Sequence, residues 1–262
     1  MSNFSKAFSS TLGKKLIMGL TGLFLSLFLV VHLIGNLQLF KDDGGQAFNE
    51  YSYFMTHFTP IKVISYLLYA SIILHAVYAL ILTTGNQKAR PVGYAQYNGA
   101  ANSSWSSRNM GILGTVLLIF IVIHMKSFWW EYHNGPIPFK KYETSLTNSH
   151  DVVTSDLPAE GITHTQYVDT QNGKQVVIAK DLYKVVNGAF SQWWYVAIYV
   201  ISMIAMGFHL YHGFQSGFQT LGFDHSKYKP LIDFLGLWVF SIIIPALFAA
   251  MPLYFFIKQI TG

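Results

Sequence analysis

His32, His75, His124 and His209 each stand inside a different long apolar run: LIMGLTGLFLSLFLVVHLIGNLQLF, YLLYASIILHAVYALILTT, MGILGTVLLIFIVIHMKSFWW and WWYVAIYVISMIAMGFHLYHGF. A titratable, strongly hydrogen-bonding ring is costly in hydrocarbon, so one such ring per apolar helix points to function. Imidazole is an axial ligand of haem iron, and four rings on four helices can close both faces of two haems. A histidine relay in a membrane transporter is the competing chemistry. It calls for carboxylates within the spans and for interrupted helices, and neither is evident in these runs.

The elements that must position these rings are membrane helices. Hydrophobic residues make up 52% of the chain and charged residues 11%, against about a quarter charged in soluble domains. Five runs, roughly 16–40, 61–84, 109–130, 191–217 and 231–257, are long enough to cross ~30 Å of hydrocarbon at ~1.5 Å per residue. The expected fold is therefore an all-α integral membrane protein, a five-helix bundle forming a single membrane domain over residues 1–262. The first run is longer than a signal-peptide core and no small-residue cleavage pattern follows it, so it is expected to be retained as a helix. Without cysteine, disulfides, thiolate haem ligation and cysteine-held iron–sulfur clusters are excluded.

Lys6, Lys14 and Lys15 precede the first run, Lys88, Arg90 and Arg108 lie between the second and third, and Lys227 and Lys229 between the fourth and fifth. The short segments on the other side hold only Lys41, Lys62 and Lys258. The positive-inside rule then puts the N-terminus in the cytoplasm. That asymmetry explains the net charge of +5, and no motif points to nucleic acid. The outer loop 133–189 contains QYVDTQNGKQVVIA, two β-favouring segments about Asn172-Gly173, which predicts a hairpin. His150 and His164 in this loop read as solvated.

Helix rise converts position into depth. His32 and His124 fall ~5–6 Å to the outer side of their helix midpoints, and His75 and His209 ~4–8 Å to the inner side. The simplest assembly is an outer haem between His32 and His124 and an inner haem between His75 and His209. Small residues at helical spacing, Ser202, Ala205 and Gly213 about His209 and Ser71 and Ala79 about His75, leave room for a flat ring, although such columns also serve plain helix contacts. His212, one turn beyond His209, is the alternative ligand. Otherwise it can bond a propionate, as Lys126 can by snorkelling, or simply cap the helix end.

The segments LFLSLFLVVHLIGN, AFNEYSYFMTHFTP leading to LHAVYA, VIHMKSFWW and FHLYHGFQSGFQTLG resemble the five-helix di-haem cytochrome b subunit that anchors succinate dehydrogenases and fumarate reductases to the membrane. The resemblance covers all four histidine-bearing helices, and the family's axial ligands fall on His32, His75, His124 and His209. It implies two haems b and no succinate site in this chain. It also implies flavoprotein and iron–sulfur partner subunits on the cytoplasmic face of a bacterial inner membrane, and a quinone substrate suited to menaquinone. It supplies no role for the long outer loop. Direction, succinate oxidation or fumarate reduction, stays open, as does assembly into a homo-oligomer.

A quinone needs an apolar slot, hydrogen bonds to its carbonyls and a proton donor. Glu50, Tyr51 and His57 before the second helix, with Trp129 and Trp130 after His124, can form one, although Trp and Tyr at helix ends are also ordinary interfacial anchors. Another di-haem cytochrome b electron carrier is the nearest alternative to the family named above.

Overall fold

The computed structural model describes residues 10–89, 99–148 and 152–261, and Lys6, Arg90 and His150 lie outside them. In chain order the principal helices are α1 (Thr11–Phe40), α2 (Gln46–His57), α3 (Thr59–Lys88), α4 (Met110–Asn134), α5 (Leu182–Phe190), α6 (Trp193–Thr220) and α7 (Lys229–Thr261). Of these α1, α3, α4, α6 and α7 are long and apolar enough to cross a membrane. They correspond to the five apolar runs. Helix continues into flanking polar residues, as far as Lys88 in α3 and Thr261 in α7, because the backbone ladder does not stop where hydrophobicity does. The chain is thus a mostly helical, multi-pass membrane protein.

Burial separates the roles of these helices. Half of the apolar window of α6 is buried, 50%, against 6% in α3 and in α4. Helix α6 is thus the most enclosed of the three, while α3 leaves Ile73, Leu74, Val77 and Leu80 open and α4 leaves Ile112, Ile119 and Val122 open. Such faces suit lipid or another apolar group, not water.

The described residues divide into two compact units. One comprises the described residues of Met1–Val31, Ile64–Phe120 and Tyr199–Ala249, and the other those of His32–Val63, Ile121–Ile198 and Ala250–Gly262. In the first, glycines set how closely helices approach. A Cβ on Gly207 would lie 2.7 Å from the carbonyl oxygen of Ser241, so a side chain there would force α6 and α7 apart. In that stretch α7 widens into a π-helix, Leu235–Ile243, where the Ser241 hydroxyl donates to the Gly236 carbonyl oxygen at 2.5 Å. Phe214 of α6 stacks on Phe240 of α7 with centroids 4.4 Å apart.

The second unit carries a four-stranded antiparallel sheet in the order β2-β1-β4-β3, from β1 (Phe139–Ser145), β2 (Val152–Leu157), β3 (Thr165–Asp169) and β4 (Lys174–Lys180). The hairpin expected about Asn172-Gly173 is β3–β4. Gly173 takes φ +62°, and the Asp169 carboxylate accepts the Gln171 and Asn172 backbone N–H groups at 3.1 Å. Strands β1 and β2 extend it beyond the expected hairpin. In FKKYETS and VVTSDL the charged and hydroxyl residues hide the strand alternation.

Tyr142, paired with Val177 and Thr154, lies on the sheet face that meets α2. Tyr142, Val177 and Ala179 are fully buried. Helix α2 starts after Gly44 and Gly45 at φ +65° and +91°, with Asp43 accepting the Gly45 and Ala47 N–H groups at 2.9 Å. A Cβ on Gly45 would meet the Tyr183 ring at 2.4 Å, so only glycine lets α5 close on this turn.

Asn49, buried on α2, joins three parts of this unit. Its amide donates to the Tyr142 hydroxyl at 2.7 Å and to Asp181 Oδ1 at 3.0 Å, and its oxygen accepts the Tyr183 N–H at 2.9 Å. Asp181 in turn caps α5 by accepting from the Lys184 N–H.

Candidate functional site: two facing histidine pairs

In the first unit, the rings of His75 on α3 and His209 on α6 face each other with centroids 6.2 Å apart and planes at 64°. In the second, His32 on α1 and His124 on α4 lie 5.7 Å apart at 82°. Each pair joins two helices far apart in sequence. All four rings are half-buried.

The spacing can be tested against a metal held between the rings. With each nitrogen roughly 2 Å from the iron and ring centres about 1.2 Å further out, two opposed axial imidazoles have centroids roughly 6–6.5 Å apart. The His75–His209 separation of 6.2 Å falls in this range, and the His32–His124 pair, at 5.7 Å, stands slightly closer than it. Ring planes that share an axis can turn about it freely, so the steep interplanar angles are compatible. Among the described residues no group of three or more His, Cys, Asp or Glu side chains could hold a metal ion. A pair alone leaves a bare ion short of its usual four or more ligands, whereas haem brings the equatorial four with it. The two pairs fit haem.

The surroundings of the first pair add to this fit. The Thr21 hydroxyl donates to the Ile17 carbonyl oxygen at 2.7 Å and lies 3.1 Å from His75 Nδ1. With its proton spent on the backbone, Thr21 accepts from Nδ1–H, and that tautomer leaves the Nε2 lone pair for a metal. Gly22 is flush against the same ring, where a Cβ would come 3.2 Å from Cε1. Gly114 gives His209 similar clearance, at 3.7 Å. His209 Nδ1 is buried with no hydrogen-bond partner among the described residues, an uncommon condition for a polar atom. His212 follows one turn later, half-buried.

The second pair has different neighbours. The Asn36 amide donates to the His32 carbonyl oxygen at 2.8 Å and stands 3.4 Å from Nδ1 of that ring. Phe128 meets His124 edge-on at 5.4 Å. Directly after His124, α4 opens into a π-helical stretch, Met125–Trp130. The wider turn re-aims everything beyond the histidine, a feature frequent at functional sites.

The residues expected to form a quinone slot are each held by other neighbours. Tyr51 packs on Gly35, one turn beyond His32, so closely that a Cβ there would overlap its ring at 2.1 Å. Burial raises the Tyr51 hydroxyl above the usual tyrosine range. Glu50 accepts from the Gln46 amide at 2.7 Å. His57, at the end of α2, is exposed, and its Nδ1 is 2.9 Å from the Tyr53 carbonyl oxygen. Trp129 and Trp130 are exposed, in keeping with interfacial anchors. Lys126 pairs with Glu131 at 2.8 Å.

One expectation is corrected. His164, read as a solvated loop residue, stacks on Tyr53 with centroids 3.5 Å apart. Its flanking sequence is polar, and nothing local announces the contact. Thr21, Gly22, Gly114 and Asn36 were also missed as neighbours of the histidines. Their only sequence signal is a small or polar residue in an apolar run.

The first unit also holds a cleft of about 250 Å³ lined by Gln215, Phe218, Gln219, Asp224, Lys229 and Asp233. Its amide and charged lining is unlike an apolar quinone slot. No protein-family model, no curated protein and no solved structure matches this chain.

Proposed function

We propose that this chain is the membrane anchor and electron-transfer subunit of a succinate:quinone oxidoreductase. In this reading His75 with His209, and His32 with His124, hold two haems b. It rests above all on the two facing histidine pairs, 6.2 and 5.7 Å between ring centres, drawn from four apolar helices. Bound there, haem supplies a one-electron relay in a chain whose lack of cysteine rules out thiolate-held iron–sulfur clusters. The chain's own residues do the rest. His75 and its three counterparts hold the iron, Thr21 sets the tautomer of His75, glycines 22 and 114 keep the ring faces clear, and the apolar helices exclude water.

Succinate chemistry belongs to a flavoprotein, and an iron–sulfur subunit docks on the cytoplasmic face near Arg108, Lys227 and Lys229. The N-terminus lies in the cytoplasm by the distribution of basic residues, and the membrane is a bacterial inner membrane by the resemblance. Quinone, menaquinone by resemblance, reacts at the opposite face beside His32 and Tyr51. Affinity purification of the tagged chain from its own membrane tests this. Flavin and iron–sulfur polypeptides should accompany it with succinate dehydrogenase or fumarate reductase activity. Haem without those partners would favour another di-haem cytochrome b carrier.

Thr21 offers a finer check. Accepting a hydrogen bond from His75 makes that ring a stronger donor and favours ferric iron. Thr21→Val should keep haem content and raise the midpoint potential of the haem held by His75, while Thr21→Ser should restore it. A net hydrogen bond of about 1 kcal/mol corresponds to on the order of 40 mV for one electron. Redox titration measures it, and an unchanged potential in Thr21→Val would remove Thr21 from this role.

A further inference from the structure

The segment between β2 and β3 brings His164 onto α2. Its ring lies parallel to Tyr53, with centroids 3.5 Å apart and planes at 11°. Tyr53 also stacks on His57, at 4.0 Å and 20°. Two imidazoles therefore share one tyrosine ring, and His164 Nδ1 is buried without a hydrogen-bond partner among the described residues. Behind them, Thr56 stands 3.0 Å from His57 Nδ1 and donates to the Tyr132 hydroxyl at 3.4 Å, while Lys180 donates to the Tyr132 carbonyl oxygen. The titratable and charged groups around the column are thus Tyr53 and His57 of α2, Tyr132 of α4 and Lys180 of β4.

This placement has chemical consequences. The one carboxylate within the five runs, Asp233, stands at the very start of the last, so protons for a reaction at this face must come from residues at helix ends or in the loop. Histidine is the side chain that exchanges protons near neutral pH. A buried ring nitrogen without a partner is a donor or acceptor awaiting one. Building on the function proposed above, we propose that His164 is the proton-exchanging group for a quinone headgroup at this face, with Tyr53 holding its ring and His57 setting its charge. The sheet-bearing loop then belongs to the quinone site.

The step balances. Quinone takes two electrons from the relay and two protons to become quinol, forming an O–H bond at each carbonyl oxygen. One proton leaves imidazolium His164, which returns to neutral imidazole and reloads from water. The other is taken up from water at the same face. Burial and neighbouring His57 lower His164 below the ordinary histidine value. The packed loop thus favours neutral His164. Its stability is fully present above the unfolded histidine range and declines as pH falls through it.

The test compares His164→Phe, which keeps a ring on Tyr53 but cannot titrate, with His57→Phe in the complex with its partner subunits. Water-soluble 2,3-dimethyl-1,4-naphthoquinone is the probe. With haem content and dye-linked succinate oxidation unchanged, His164→Phe should lower naphthoquinone kcat about tenfold, with a smaller change in KM, and flatten its pH profile. His57→Phe should move the bend in that profile to higher pH. Acylation of His164 by diethyl pyrocarbonate, mapped by mass spectrometry against pH, gives a readout independent of turnover. Its midpoint should lie below that of free histidine and rise in His57→Phe. Wild-type kcat and pH profile in His164→Phe, with haem intact, would overturn this role and leave the electron-transfer reading standing. A wild-type chain that binds no haem would overturn that reading instead.

Discussion

Replacing His75 or His209 by alanine should remove one haem and leave the other, and replacing His32 or His124 should do the reverse. Each pair lies within one compact unit, so the two losses should be independent. The mechanism is local. An alanine leaves the iron one axial nitrogen and an apolar gap in place of the second, and a bis-histidine site has no reserve ligand within the pair. Haem quantitation by the pyridine haemochrome, with redox titration of what is left, should fall from two haems per chain to one. The surviving potential should depend on which pair was broken. His212 supplies the discriminating control on α6. Full haem content in His209→Ala, with loss in His212→Ala, would transfer the ligand role by one turn. Retention of both haems in all four variants would remove the pairs from haem binding.

The second large effect lies outside the membrane helices. Asn49→Ala should destabilise the unit formed by α2, α5 and the sheet by roughly 3–5 kcal/mol, since each buried polar group left without a partner costs about 1–3 kcal/mol. Two groups lose theirs together, the Tyr142 hydroxyl and the Tyr183 N–H, and the Asp181 carboxylate, which keeps the Lys184 N–H, loses one of its donors. Asn49→Asp should be at least as damaging, because it sets a second carboxylate against Asp181. Limited proteolysis between Phe139 and Tyr183 reads the effect directly, and cleavage there should accelerate many-fold in detergent. Haem content should persist at the His75–His209 pair, which lies in the other unit. Unchanged protease resistance would mean that the hydrogen bonds of Asn49 are replaced by water at little cost.

The contrast between these two sites shows what a sequence exposes. The four histidines were legible because each interrupts an apolar run, and hydrocarbon makes that interruption expensive. Their pairing, His32 with His124 and His75 with His209, follows from helix rise once successive helices run in opposite directions, and the ring contacts join the same residues. The turn at Asn172-Gly173 was legible because few dipeptides take its backbone conformation so readily. Other features depend on how elements meet. Thr21 and Gly22 touch His75 only because of the rotation of α1 against α3, which no local pattern encodes. The Asn49 hub draws on α2, β1 and the start of α5, and each contributing residue is unremarkable in its own segment. His164 was misread for the same reason, since its partner Tyr53 lies on a helix far away in sequence. Strands β1 and β2 carry too many charged and hydroxyl residues to display a clean period of two.

The most direct measurement is the reduced-minus-oxidised visible spectrum of the purified chain, expressed with haem supplied, together with low-temperature electron paramagnetic resonance of the oxidised form. Two facing histidine pairs predict two low-spin, bis-imidazole b-type haems per chain, with sharp α and Soret bands on reduction. Folded, monodisperse protein that shows no haem bands, or only high-spin five-coordinate iron, would contradict the assignment of His32, His75, His124 and His209 as axial ligands.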